Sequence, residues 1–139
     1  MNRAVFVDAA AWYAFTDVDD ADHRRADRCF RRLTRQGQPF ATYNHVVSET
    51  YTLCRRRLGA PLAREFLRRL QISGATQRIF VQEAWEREAE GLLVQYEDQD
   101  FSYVDATSFV VMRRIGLREA FTFDHHFQVL GFNVIGPDE

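Results

Sequence analysis

Short apolar runs alternate with amphipathic stretches along nearly the whole chain, and this alternation restricts the fold more than any other feature. Ala4-Val5-Phe6-Val7 is apolar without a break, as expected of a strand buried on both faces, and it stops at Asp8. Ala9 to Phe15 reads as a short helix. A second helix, capped by Asp20 or Asp22, runs to about Arg35 with Ala26, Cys29, Phe30 and Leu33 at helical spacing, and Gly37 ends it. Pro39 to Thr42 predicts the second strand. The helix opening near Asn44 carries Val46, Val47, Thr50, Leu53 and Leu58 and closes at Gly59, and Pro61 suits the first turn of the next helix, through Leu70. Arg78-Ile79-Phe80-Val81 predicts a third strand, Glu83 to Tyr96 a long helix, and Ser102 to Ile115 another that Gly116 stops. Ala120 to Phe123 and Phe132 to Ile135 complete the strands. Strands alternating with helices predict an α/β fold with a parallel sheet covered on both faces. No repeat, linker or low-complexity tract divides the 139 residues, so one domain, 1–139, is expected.

Every one of the 18 basic residues is Arg. The absence of lysine removes Schiff-base chemistry, a P-loop phosphate clamp and phospho-acceptor receiver domains, which require one. A GC-rich coding preference explains the Arg bias more readily than selection for phosphate binding, so the bias is weak evidence of function. The net charge of −2 means that any nucleic-acid surface must be local. Cys29 and Cys54 make no metal-ligand or CxxC spacing and read as buried free thiols. The start, MNRAVFVDAAAWYAF, carries an Asp inside its apolar stretch and no cleavage site, and no uncharged run approaches the ~20 residues of a membrane span. A cytoplasmic protein without a membrane partner is expected.

In an open parallel sheet, ligands bind in the crevice at the carboxyl ends of the strands. Asp8 follows the first predicted strand and Asp124 the fourth, so if those strands are neighbours both carboxylates enter one crevice. Taken singly, each reads as the cap of the helix after it. Glu49 lies within a helix on or beside its apolar stripe, where a carboxylate is costly unless paired, bound to a metal or placed at a rim. Asp105 stands three residues after Ser102, an S-x-x-D capping box that also aims the acid out of the helix N-terminus. Two carboxylates ~4 to 5 Å apart repel by roughly 3 to 4 kcal/mol at an effective dielectric near 20. Convergence of all four acids therefore calls for a counter-charge. With no lysine to supply it, a hard divalent cation is the economical choice, and an all-oxygen set suits Mg²⁺ or Mn²⁺.

Four segments carry a family resemblance: Val5-Phe-Val-Asp8-Ala, Val47-Ser-Glu49-Thr-Tyr, Ser102-Tyr-Val-Asp105-Ala-Thr-Ser-Phe and Phe121-Thr-Phe-Asp124-His-His-Phe127. In order and spacing they resemble the acidic motifs of PIN-domain nucleases, in particular the VapC-type toxin ribonucleases, over almost the whole chain. The resemblance implies a PIN-like three-layer α/β/α fold with a parallel sheet of about five strands in the order 3-2-1-4-5. It also implies that Asp8, Glu49, Asp105 and Asp124 bind Mg²⁺, or Mn²⁺ as the alternative, for endonucleolytic hydrolysis of RNA. A homodimer and a small cognate antitoxin as the toxin's partner are implied as well. His125 stands where a basic residue, often Arg, is common in the family, which touches phosphate contact more than metal binding.

Competing readings remain at this point. A haloacid-dehalogenase-like phosphatase needs a second Asp two residues after the first, where Ala10 stands, and a Lys. A non-catalytic PIN-like module that binds RNA or protein would use the acids only as caps. Asp98 and Asp100 read as a solvated loop, His45 as structural or solvent-facing, and Trp12, Tyr13 and Phe15 as core or dimer contacts. The arginine rows, residues 24, 25, 28, 31, 32 and 35 and then 55 to 57, fit RNA backbone, a solvated face or an antitoxin surface equally well.

Overall fold

The computed structural model describes residues 3–139; Met1 and Asn2 of the expected domain lie outside the described residues. The strands are β1 (Val5–Val7), β2 (Phe40–Tyr43), β3 (Thr76–Ile79), β4 (Glu119–Phe121) and β5 (Asn133–Ile135). The helices are α1 (Ala9–Thr16), α2 (His23–Arg35), α3 (Asn44–Leu58), α4 (Ala60–Ile72), α5 (Glu83–Gln95), α6 (Tyr103–Ile115) and α7 (His126–Val129). All strand pairings are parallel and the order is β3-β2-β1-β4-β5, the expected 3-2-1-4-5 arrangement.

β1 is apolar throughout because neither of its faces meets water. Val5 and Val7 pack with Ala26, Cys29, Phe30 and Leu33 of α2, while Phe6 packs with Phe109, Val110 and Met112 of α6 on the opposite face. Ala120 and Phe121 of β4 divide between the same two layers. Phe30 anchors its layer, touching Trp12, Phe15, Phe40 and Phe121 with ring centroids 4.6 to 5.4 Å apart. Half-buried Trp12 and Phe15 belong to this packing, while buried Tyr13 packs with Cys54 and Ala63. Cys29 and Cys54 are buried free thiols, and burial pushes the Cys29 thiol up to about 12, which leaves it protonated and inert.

The strand boundaries shift from those expected. β3 spans residues 76–79 instead of 78–81 because it is a half-exposed edge strand whose polar Thr76 and Gln77 pair with Phe40 and Ala41. The apolar run that pointed to the later span is explained otherwise. Ile79 and Val81 pack against the core, the Val81 amide donates to Asn44 Oδ1 at 2.9 Å, and exposed Phe80 lies beneath the Arg78 guanidinium. β4 ends at Phe121 instead of Phe123, so Asp124 sits in a turn beyond the strand and the short α7 follows it. β2 is one residue later than expected, and β5 begins at Asn133 instead of Phe132.

The turn after β5 depends on one glycine. Gly136 has φ +119°, and a Cβ there would meet ring carbons of Phe121 at 3.0 and 3.1 Å and the Thr122 carbonyl oxygen at 3.2 Å. Gly136→Ala is expected to cost about 1 to 3 kcal/mol through positive φ and overpacking against β4. Urea denaturation measures this, and an unchanged midpoint would mean that the turn relaxes freely.

Candidate active site

β1 and β4 are neighbours, with Val7 opposite Phe121, and the ladder continues one step further through the Asp8 amide, which donates to the Phe121 carbonyl at 3.0 Å. This sets Asp8 beside Thr122 at the crevice end of the sheet. Asp8 occupies the N-cap position of α1, yet its side chain makes no capping bond to the helix. The capping expected of Asp8 taken alone is thereby corrected: its Oδ2 instead accepts a hydrogen bond from the Thr122 hydroxyl at 2.9 Å. Asp8 is 7% exposed, and burial raises its carboxyl pKa to about 7. The Thr122 hydrogen bond and the nearby Ala9 backbone amide oppose that rise, whereas the charges of Asp105 and Glu49 add to it.

The same Thr122 oxygen accepts the Asp124 amide at 3.0 Å, so one fully buried hydroxyl ties the two strand-end aspartates together. Asp124 Oδ1 accepts the His126 amide at 2.9 Å, which orders the turn into α7, and Oδ2 lies 3.2 Å from His126 Nδ1. The helix-ordering role expected of Asp124 and a place in the crevice therefore coexist.

Asp105 also serves twice. The capping box is complete: Ser102 Oγ accepts the Asp105 amide at 3.0 Å and Asp105 Oδ2 accepts the Ser102 amide at 2.9 Å. Asp105 Oδ2 also stands 3.2 Å from His126 Nδ1. One ligand atom each from Asp105, Asp124 and His126 lies within 4.8 Å of the others, a spacing that could hold a metal ion.

Glu49 takes the rim position that the sequence left open for it. The buried face of α3 is formed by Val46, Val47, Thr50 and Cys54, and Glu49 is exposed at the rim. Its carboxyl pKa is nonetheless raised, first by the water that its surroundings exclude and then by the charge of Asp105. Tyr43 lies between these groups and α6. Its hydroxyl bonds the Val104 carbonyl at 3.0 Å and Ser108 Oγ at 3.1 Å, and burial raises its pKa, with Asp8 and Glu49 contributing.

Two residues of the site, Thr122 and His126, were not singled out from the sequence. The signal for Thr122 was a polar residue inside the apolar run 120–123, and for His126 an imidazole two positions after an aspartate. His125, the neighbour that drew attention, is exposed, as are Asp98 and Asp100. His45 Nε2 stands 3.5 Å from a Glu86 carboxylate oxygen. A cavity of about 590 Å³ does exist elsewhere, between α1, α2 and α4, but Trp12, Phe15, Phe30, Phe66 and Leu70 make it apolar and none of the four acids lines it. Asp8 and Asp124 lie instead beyond the carboxyl ends of β1 and β4, two interior strands of the sheet.

The model of the PIN domain family matches residues 5–133. The chain belongs to the PIN-domain family. Two strains of Mycobacterium tuberculosis carry a relative named 23S rRNA-specific endonuclease VapC20, 36% identical over 137 residues, which covers 96% of this chain and 99% of the relative. The crystal structure of M. tuberculosis VapC20, a sarcin-ricin loop cleaving toxin, matches with a TM-score of 0.83 and 35% identity over 93% of this chain and 96% of that one. The resemblance drawn from four short motifs thus holds across the PIN fold. Among the described residues, no helix is long and apolar enough to cross a membrane.

Proposed function

We propose that this PIN domain is a divalent-metal-dependent endoribonuclease, the toxin of a toxin-antitoxin pair, acting on ribosomal RNA as its relative's name describes. The observation that carries the reading is the convergence of Asp105, Asp124 and His126 beside a buried Asp8 whose pKa is raised to about 7. A homodimer, a small antitoxin partner and a cytoplasmic location belong to the same proposal.

The donor set fits a hard cation. Asp8, Glu49, Asp105 and Asp124 offer carboxylate oxygens from four separate segments, and burial together with mutual repulsion raises the pKa of Asp8 and Glu49, which a bound cation would offset. The four acids would hold the ion. A bound Mg²⁺ or Mn²⁺ supplies an activated water and neutralises charge gathering on the phosphoryl oxygens. Asp8 is placed for this by Thr122, whose hydroxyl hydrogen is committed to Oδ2 while its oxygen fixes the Asp124 amide. His126 holds Asp105 and Asp124 at a common separation of 3.2 Å from Nδ1, which restricts both carboxylates much as hydrogen-bond partners behind metal ligands do. No covalent intermediate with the protein is required.

Metal binding must compete with the proton on Asp8. Saturating Mn²⁺ at about 100 times its dissociation constant is expected to stabilise the fold by roughly 2.7 kcal/mol. The melting-temperature shift is expected to be larger at about pH 8 than at about pH 5, where Asp8 holds its proton. A shift of equal size in Asp8→Asn would place the ion elsewhere. The function itself is tested by incubating ribosomal RNA with the purified chain in Mg²⁺, Mn²⁺ or EDTA and mapping the cut ends. Cleavage confined to the metal-containing reactions is expected, and equal cleavage in EDTA would overturn metal dependence.

A further inference from the structure

The arginines of α2 play no part in the metal crevice, yet three of them are already organised around oxygen atoms. Arg25, Arg28 and Arg32 recur at i, i+3 and i+7 and so share one helix face. Arg25 donates to the Pro137 carbonyl at 3.0 Å, Arg28 to the Glu139 carbonyl at 2.9 Å, and Arg32 to the Glu139 carboxylate. Because β5 runs parallel to β1 and β4, the segment Pro137–Glu139 emerges at the crevice end of the sheet before turning along α2. Arg25 also lies over the Phe123 ring, 5.4 Å from its centroid, and Phe123 adjoins Asp124. The row therefore starts beside the acids and descends α2 for ~10 Å at 1.5 Å per residue.

Charge gives the row a purpose. The crevice carries Asp8, Glu49, Asp105 and Asp124 and repels a polyanion, while α2 concentrates six arginines, against Asp27 within the helix and Asp22 at its N-cap, in a chain of net charge −2. Arg25 is ion-paired with Asp22 and Arg32 with the Glu139 side chain, whereas Arg28 meets a backbone oxygen of Glu139 and no acidic side chain among the described residues. Guanidinium groups spaced along a helix and facing a succession of oxygen atoms suit a phosphodiester backbone, which offers such a succession with full charges.

The geometry points to Arg25, Arg28 and Arg32 as a rail that grips the backbone phosphates of the RNA as it leaves the crevice, with Pro137–Glu139 occupying the rail until the RNA displaces it. This assignment rests on the ribonuclease reading above and adds to it the surface that holds the substrate. An acidic protein segment is the competing occupant, but RNA is favoured because the row is continuous with the crevice through Arg25 and Phe123.

The test measures binding of a fluorescently labelled single-stranded RNA across a salt series, in the Asp8→Asn background so that no RNA is consumed. Each phosphate contact on single-stranded nucleic acid carries a salt slope of about 0.7, so Arg28→Ala and Arg25→Ala should each weaken binding about fourfold at about 0.15 M salt and flatten the slope by about 0.7. Arg28→Lys should retain the slope, and Glu139→Gln should tighten binding by freeing Arg32. Unchanged affinity and slope in Arg28→Ala, with the melting temperature preserved, would overturn the rail. An unchanged RNA affinity combined with weakened binding of an acidic peptide would overturn it in favour of a protein partner. Cleavage by the chain with Asp8 intact separates the two levels: robust Mg²⁺-dependent cutting with insensitive arginine variants sinks the rail alone, whereas absence of cutting and binding sinks both.

Discussion

Asp8→Asn is expected to abolish RNA cleavage while making the metal-free protein more stable at neutral and higher pH. The carboxyl has a pKa of about 7 in the folded chain against an ordinary value of 3.8. The folded state thus binds this proton more tightly than the unfolded state does. The stability that Asp8 lends is complete below about pH 4, declines as the pH rises between the two values, and is lost above about pH 7. About three pH units at 1.36 kcal/mol each correspond to a penalty on the order of 4 kcal/mol for the ionised metal-free form. Asn removes that penalty and can still accept the Thr122 hydrogen bond. Urea denaturation in EDTA should show no gain for Asp8→Asn near pH 4 and a gain of a few kcal/mol near pH 8. Equal stability of the two proteins at both pH values would mean that Asp8 is not held in this environment. Retained Mg²⁺-dependent cutting would remove Asp8 from the reaction.

Asp105→Asn and Ser102→Ala separate the two duties of the capping box. Asn can still accept the Ser102 amide, so the N-terminus of α6 should survive, whereas a metal ligand and one charge facing Asp8 and Glu49 are lost. A loss of several kcal/mol of electrostatic stabilisation corresponds to at least about 10²-fold in rate. Ser102→Ala leaves the carboxylate but removes the acceptor for the Asp105 amide, and should cost ~1 kcal/mol of stability with a smaller effect on rate. Single-turnover cleavage and thermal unfolding of both variants check this. The reverse pattern, with Asp105→Asn active but unstable, would reduce Asp105 to a cap.

Much of this molecule follows from its amino-acid sequence alone. The apolar runs at Val5–Val7 and around Phe121, the glycines closing α3 and α6, and the capping box at Ser102 are local properties, determined by side-chain burial and backbone geometry within a few residues. They yielded the element order and, with the PIN resemblance, the strand order. The edge strand β3 was misplaced because an exposed edge has no need of the continuous hydrophobicity that marks β1. For Glu49 the sequence leaves a place on the apolar stripe and one at its rim both open, because helical spacing alone does not reveal how wide the buried stripe of α3 is.

The sequence by itself determined which acids were available and that their strands would be parallel, since periodicity, capping and composition act over short stretches of chain. Only the tertiary structure decided that Thr122 bridges Asp8 and Asp124, that His126 stands between Asp105 and Asp124, and that burial drives Asp8 toward neutrality. Those properties depend on distances between segments as many as 114 residues apart and on how much water their packing excludes, and neither quantity is encoded in local pattern.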